Sequence, residues 1–294
     1  MRSYPFTTVD VFTDTRFGGN QLAVFTDARG LSDAEMQALA AEMNLSETTF
    51  VLPPDDPSNS ARVRIFNRTA EMPFAGHPNV GTAFVLASRT GAASDVLHFE
   101  EIAGLVEVRI EREGGRVLGA EIDAPQPLQL LGELPANQIA ACIGLAPDDV
   151  RTQAHAPLQA TVGVDFVLVE VTGDALVRAA PDIASFRRTA AAHSQTGARL
   201  SVFLYARDRS GVRARMFAPL SGTWEDPATG SANATLGALL LSLSNHAELS
   251  YEAIQGVEMG RPSRLRVTAR RRGAEIYSSV GGHCVPVLSG EALV

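Results

Sequence analysis

Short runs of alternating apolar and polar residues dominate the chain, broken by a few stretches of helical period. Residues 6–11 and 22–25 read as strands around the turn Phe17-Gly18-Gly19-Asn20. Ser32-Asp33-Ala34-Glu35 is a capping-box pattern that opens a helix running to about Asn44. Strands are predicted over 47–52 and 61–65, separated by a Pro/Asp/Ser-rich loop at 53–60. A helix follows from Pro78 to about Arg89, with Gly91 near its end, and then strands over 96–100, 105–111 and 117–122. Asp123-Ala124-Pro125-Gln126-Pro127 breaks the pattern and reads as a linker. The expected domains are therefore 1–124 and 125–294, with the last strands, about 275–294, packing back onto the first. The second half repeats the mixture, with helices over 135–144, 181–193 and 231–243 and strands over 166–171, 201–206, 213–217, 265–269 and 275–280. Arg270-Arg271-Arg272-Gly273 reads as a solvated hairpin turn.

Two of the helices lack a charged face: the stretch from Val80 to Ala87 and the stretch from Ala232 to Leu241. A helix that is apolar all round is buried. Each sits among several short strands, so the expected fold class is α+β: two similar domains, each a curved sheet or barrel wrapped around a buried central helix. The segments leading into the two helices also match. Glu71-Met-Pro73-Phe-Ala-Gly76-His77 and Glu225-Asp-Pro227-Ala-Thr-Gly230-Ser231 both read E-x-P-x-x-G, at an offset of 154 residues. That repetition, in matching context, points to an internal duplication.

Composition narrows the function. The net charge of -8 disfavours a nucleic-acid partner, which needs a basic face. No apolar run is long enough for a membrane span, and residues 1–11 lack the apolar core of a signal peptide. Cys142 and Cys284 are far apart, which suits neither a disulfide framework nor a zinc knuckle and favours a reduced cytoplasm. All 25 basic residues are Arg. Schiff-base and P-loop lysines are thereby excluded. No Gly-rich dinucleotide fingerprint is present, so no cofactor is expected.

Candidate chemistry gathers at the starts of the apolar helices. A helix N-terminus offers unpaired N–H groups and positive dipole, and Gly76 and Gly230 allow a ligand close to the backbone. Two such termini facing each other would hold a carboxylate. One copy alone would be only a turn; two copies carrying His77, Asp226 and Ser231 are more. In Leu45-Ser46-Glu47-Thr48-Thr49-Phe50-Val51, strand alternation puts Glu47 on one face with Thr49 and Val51. On an outward face Glu47 would be an ordinary solvated acid. On an inward face a carboxylate holds its proton more tightly, which suits general acid–base work. His77 could shuttle a proton or simply be a polar first-turn residue. His283, beside Cys284, has no second pair at metal-ligand spacing and is expected to be structural; no metal site is expected.

At this point the residues resemble a family. Val9-Asp-Val-Phe-Thr with Phe17-Gly-Gly-Asn20, Asn44-Leu-Ser46-Glu47-Thr-Thr-Phe50, Arg64-Ile-Phe through Gly76-His77-Pro78, and Phe217-Ala-Pro219 through Glu225-Asp-Pro-Ala-Thr-Gly-Ser-Ala232 are similar to landmarks of the PhzF-like group. Gln255-Gly256 and Gly260-Arg261-Pro262-Ser263 resemble its C-terminal landmarks. The group is related in fold to diaminopimelate epimerase and proline racemase. The resemblance implies a pseudo-twofold duplicated fold, a homodimer, an active-site cleft between the domains and cofactor-independent isomerisation of a small carboxylate-bearing metabolite. The phenazine enzyme of the group moves a proton on a dihydro-hydroxyanthranilate. By the same resemblance Glu47 is the acid/base, His77 and Asp226 orient proton and substrate, and Asn20, Ser46, Gly76, Gly230 and Ser231 bind substrate. Gln21 and Asn79 depart from the group's usual Pro and Thr. Two alternatives remain: an epimerase or racemase, whose two catalytic cysteines would sit near Ala75 and Thr229, and a non-catalytic binding protein with the same cleft.

Overall fold

The computed structural model describes residues 1–90, 94–197, 199–208 and 211–294. Gly91, expected near a helix end, lies outside them. The chain divides into two compact units: residues 1–123 with 281–294, and residues 124–280.

In the first unit, β1 (Ser3–Val11) and β2 (Asn20–Phe25) form an antiparallel pair. The turn between them needs glycine: Gly19 has φ +63°, and a Cβ there would lie 2.4 Å from the Val11 carbonyl oxygen. Helix α1 (Asp33–Met43) then carries the chain to β3 (Glu47–Leu52), parallel to β2, as a crossover must. Its capping box is complete: Glu35 N–H donates to Ser32 Oγ and Ser32 N–H to Glu35 Oε2. β4 (Ala61–Phe66) and the short β5 (Glu71–Met72) lead into α2 (Gly76–Thr90), followed by β6 (Val96–Glu101), β7 (Gly104–Glu113) and β8 (Arg116–Asp123).

The second unit runs β9 (Gln129–Glu133), α3 (Ala136–Cys142), β10 (Val150–Arg151), β11 (Leu158–Thr161), β12 (Asp165–Val171), α4 (Gly173–Arg178), α5 (Ile183–Ala192), β13 (Val202–Asp208), β14 (Gly211–Ala218), β15 (Thr223–Asp226), α6 (Gly230–Ser242), β16 (Glu248–Gln255) and β17 (Ser263–Arg272). The last strand, β18 (Glu275–Leu293), begins in this unit and ends in the first. There its second half pairs with β1 and lies against β8, closing the ring β1-β2-β3-β4-β6-β7-β8-β18.

Inside that ring sits α2, and its apolar residues Val80, Ala83 and Ala87 are buried. Gly81 permits the fit, because a Cβ there would meet Leu22 Cδ2 at 2.6 Å and Val11 Cγ2 at 2.8 Å. The second unit repeats the sequence of ladders. β12–β13 and β14–β16 are parallel, and β13–β14 and β16–β17 antiparallel, as are β2–β3, β4–β6, β3–β4 and β6–β7 respectively. Helix α6 occupies the place of α2, buried along Ala232 to Leu239. The fold is thus the expected α+β duplication of a curved sheet around a central helix.

The duplication reaches further than E-x-P-x-x-G. Arg64 grips Glu71 through Nε and Nη2, both at 2.6 Å, and lies over the Phe66 ring. Arg215 grips Glu225 in the same bidentate way, at 2.8 and 2.9 Å, over Phe217. Asn79 and Asn233, both buried, each donate to the carbonyl four residues back, of Ala75 at 3.1 Å and Thr229 at 3.0 Å. Asn79, a departure from the family pattern by sequence, is therefore a repeated structural element.

The sequence reading omits several elements: β9, β11, β16 and α4. Arg271 also differs from expectation. Rather than being merely solvated, its guanidinium donates to the Leu241 and Ser244 carbonyls, at 2.9 and 2.8 Å, and so caps the end of α6. Among the described residues no helix is long and apolar enough to cross a membrane.

Candidate active site

The face that Glu47 occupies is settled by its neighbours. Phe50, on the opposite face of β3, stacks on Phe25 in the cluster beneath α1. Thr49, on the face of Glu47, shares a 2.8 Å hydrogen bond with Thr82 of α2. Glu47 therefore points to the central-helix side, at the end of the strand, half-buried. The helix start meets it there: His77 Nε2 lies 3.3 Å from Glu47 Oε2.

His77 is buried, and burial pushes its pKa from 6.5 down to about 3, against an opposing hydrogen bond to the Gln21 backbone. The ring is neutral at pH 7, so the contact with Glu47 is no salt bridge, and its angles fall outside those of a regular hydrogen bond. Behind the pair stand two further sequence-expected residues. Asn20 Nδ2 is 3.4 Å from His77 Nδ1, and the Ser46 hydroxyl donates to Asn20 Oδ1 at 2.8 Å. Glu47, His77, Asn20 and Ser46 thus converge beside Gly76, the first residue of α2.

A pH prediction follows from the buried ring. Between about pH 6.5 and about pH 3 the unfolded chain binds a proton at His77 that the folded chain refuses. Stability is present above the upper limit and is lost as pH falls through the window, the unfolding constant rising by up to about tenfold per pH unit. Denaturant titrations of wild type and His77→Asn across this range are expected to diverge in that sense, with the wild type losing more.

In the second unit, Asp226, Gly230 and Ser231 surround the start of α6. Asp226 is buried, and its Oδ2 accepts from the Thr229 hydroxyl at 2.6 Å. Gln255 Nε2 donates to the Asp226 carbonyl at 2.8 Å, and Ser263 Oγ to the Pro227 carbonyl at 2.9 Å. The loop before α6 is held by the side chains of Gln255 and Ser263, both distant in sequence.

The ladder registers show where the repeats differ. Thr48 faces Phe66 as Val202 faces Phe217, so the counterpart of Glu47 is Ser201. By the 154-residue offset, His77 corresponds to Ser231 and Asp226 to Met72. The scaffold is duplicated; the acid and the imidazole belong to the first unit alone.

Residues 9–290 match the family described as phenazine biosynthesis-like protein (PhzC-PhzF). The chain belongs to this family. An uncharacterized isomerase of Mesorhizobium japonicum is 38% identical over the whole of both chains. The trans-2,3-dihydro-3-hydroxyanthranilate isomerase of Pseudomonas aeruginosa is 35% identical over 98% of each. The crystal structure of a Bacillus anthracis phenazine biosynthesis protein of the PhzF family superposes with a TM-score of 0.88, at 25% identity over all of both chains. As a PhzF-like protein the chain is an isomerase.

Neither cysteine stands at a helix start. Cys142 lies in α3 with its Sγ 3.3 Å from Thr189 Oγ1, Cys284 is buried in β18, and burial raises both thiol pKa values. Ala75 and its neighbours, and Thr229, where the resemblance would place the two thiols of a racemase, are not cysteines. His283 Nε2 lies 3.4 Å from Glu111 Oε1 in the first unit, apart from any group of three metal-ligating residues among those described. The sequence reading missed Asn233 and Arg215, and it singled out Gln255 only as a family landmark, without its bonds to the start of α6. Asn233 could have been found from the repeat itself, because the 154-residue offset pairs it with Asn79.

Proposed function

We propose that this protein is a cofactor-independent proton-transfer isomerase of a small carboxylate-bearing metabolite, with trans-2,3-dihydro-3-hydroxyanthranilate as the candidate substrate. The observation that carries the reading is the inward-facing Glu47 held 3.3 Å from a buried, neutral His77 at the start of α2. In the proposed step the Glu47 carboxylate takes a proton from carbon. The C–H electron pair moves into the adjacent bond and shifts the double bond along the ring. Glu47, now a carboxylic acid, returns the proton at the far carbon and is ionised again, so atoms and electrons balance without a redox partner.

His77 orients the carboxyl group, with Asn20 and Ser46 fixing the ring of His77. In the second unit, Asp226 is assigned an orienting role of its own. Each unit is assigned an anion-holding helix start of its own, the first-turn N–H at Gly76 in the first and those at Gly230 and Ser231 in the second, which suits the positive end of each helix dipole. The identity to the Pseudomonas enzyme supports this substrate, and the absence of any thiol at Ala75 or Thr229 favours a single carboxyl base over a two-cysteine mechanism.

The test is incubation of purified, chelator-treated protein with trans-2,3-dihydro-3-hydroxyanthranilate, followed in the ultraviolet. Turnover without added cofactor is expected. An unchanged spectrum at high enzyme concentration would remove this substrate from the proposal.

A further inference from the structure

Glu101, at the end of β6, has no place in the chemistry above, yet it is a buried carboxyl group. The ladders identify its counterpart. Arg62 pairs with Glu100 as Arg213 pairs with Ile254, so the next residues along β6 and β16, Glu101 and Gln255, are equivalent. They are also 154 residues apart.

Gln255 braces the lead-in to α6 with four bonds. Its Oε1 accepts from Thr229 N at 3.1 Å and Asn233 Nδ2 at 3.0 Å. Its Nε2 donates to the Asp226 carbonyl at 2.8 Å and to Thr229 Oγ1 at 3.0 Å. An ionised carboxylate only accepts, so it could replace the first two bonds and neither of the others. A protonated acid has one O–H to donate. One is enough in the first unit: the counterpart of the Asp226 carbonyl is that of Met72, and the counterpart of Thr229 is Ala75, which has no hydroxyl.

We infer that Glu101 is a positioning residue that works as a neutral carboxylic acid, bracing the lead-in to α2 through Asn79 and the Met72 carbonyl as Gln255 braces that to α6. The functional part of this inference rests on the proposed Glu47–His77 chemistry, because His77 directly follows that lead-in.

The surroundings of Glu101 agree. Both its carboxyl oxygens are buried without a hydrogen bond of regular geometry, as is Asn79 Oδ1, so an added proton would give this cluster of acceptors a donor. Burial raises the pKa from 4.5 to about 8, the Asn79 side chain opposing. Charged groups on the neighbouring elements are engaged elsewhere. Glu100 accepts from the Asp55 and Asp56 backbone, Arg62 pairs with Asp55, and Arg64 with Glu71 and Asp33. Glu107 pairs with His98 and Arg109, Arg109 also with Glu121, Arg112 with Asp95, and neutral His77 faces Glu47. The far side of the same lead-in is held by Ala103 N–H, which donates to the Pro73 carbonyl at 3.1 Å.

Two variants test this, Glu101→Gln and Glu101→Leu. Between about pH 4.5 and about pH 8 the folded wild type keeps a proton that the unfolded chain has released. Its stability is full at the acid end and falls as pH rises. The unfolding constant should climb up to about tenfold more per pH unit in wild type than in Glu101→Gln, with no further divergence above the window. Parallel stability curves would mean that Glu101 is ionised and would overturn the inference, whether or not the substrate proposal survives. With an active substrate in hand, wild-type kcat should fall above about pH 8 while Glu101→Gln holds its rate, and Glu101→Leu should lose rate at every pH. Superimposable pH–rate curves for wild type and Glu101→Gln would overturn the positioning role, even if Glu101→Leu fails to fold.

Discussion

Glu47→Gln is expected to lower turnover by roughly 10²–10⁴-fold while leaving the fold and thermal midpoint close to wild type, the range found when a general acid or base is removed. The amide keeps the size and a hydrogen-bonding group opposite His77 Nε2, 3.3 Å away in wild type, but can neither take nor return a proton. The effect should fall on kcat rather than KM, because the lost interaction belongs to the transition state. His77→Asn should cost less, since it disturbs orientation and leaves the carboxyl group in place. Steady-state kinetics of the two variants beside wild type decide the ranking. Equal losses would mean that the imidazole carries the proton too, against its neutral, buried state.

The largest expected effect on stability lies in the second unit. Arg215→Met should destabilise by about 3–5 kcal/mol, because Glu225 would remain as a nearly buried charge without its partner. The same substitution also removes the donors that Arg215 gives to the Leu176 and Ala179 carbonyls, at 2.9 and 2.7 Å. The equivalent Arg64→Met should cost only about 1–3 kcal/mol, since water can reach Glu71 more readily and the third partner, Asp33, is exposed. Thermal or denaturant unfolding of the two variants measures the difference; equal losses would show that the repeats are not energetically distinct at this bond.

The duplicated architecture was legible because its signals are local. An all-apolar helix declares its burial, and E-x-P-x-x-G before each such helix marks the repeat within a few residues. Glu47 was legible in part. Alternation grouped it with Thr49 and Val51, but which face turned inward depended on Thr82 of α2, a contact no local pattern encodes. The elements that escaped, such as β9 and β11, are short, and β11 takes its stability from pairing with β9 and β12. Arg215–Glu225 and Gln255–Asn233 escaped because each joins residues on separate strands or helices. Glu101 escaped for a different reason: a Glu-Glu pair at a strand end looks solvated, and only the register against Gln255 shows that the second Glu faces inward while Glu100 is tied to the loop at Asp55 and Asp56.

His77 and Glu101 tilt the stability curve in opposite directions. The buried imidazole costs stability below about pH 6.5, and the buried acid costs stability above about pH 4.5. Between those limits the two slopes offset each other. His77 lies in the first turn of α2 and Glu101 is inferred to brace the lead-in before it, so both groups act on the same short segment.

The measurement that bears most directly on the central claim is the fate of the substrate proton. trans-2,3-Dihydro-3-hydroxyanthranilate is converted in deuterium oxide, and the product is examined by mass spectrometry and NMR. With Glu47 as the single acid/base, one deuterium is expected at the newly protonated carbon, reduced only by whatever fraction of the original proton Glu47 returns before it exchanges, and no label is expected in Glu47→Gln reactions. Equal label and equal rate in wild type and Glu47→Gln would contradict the account, since the proton would then be moving through some other group.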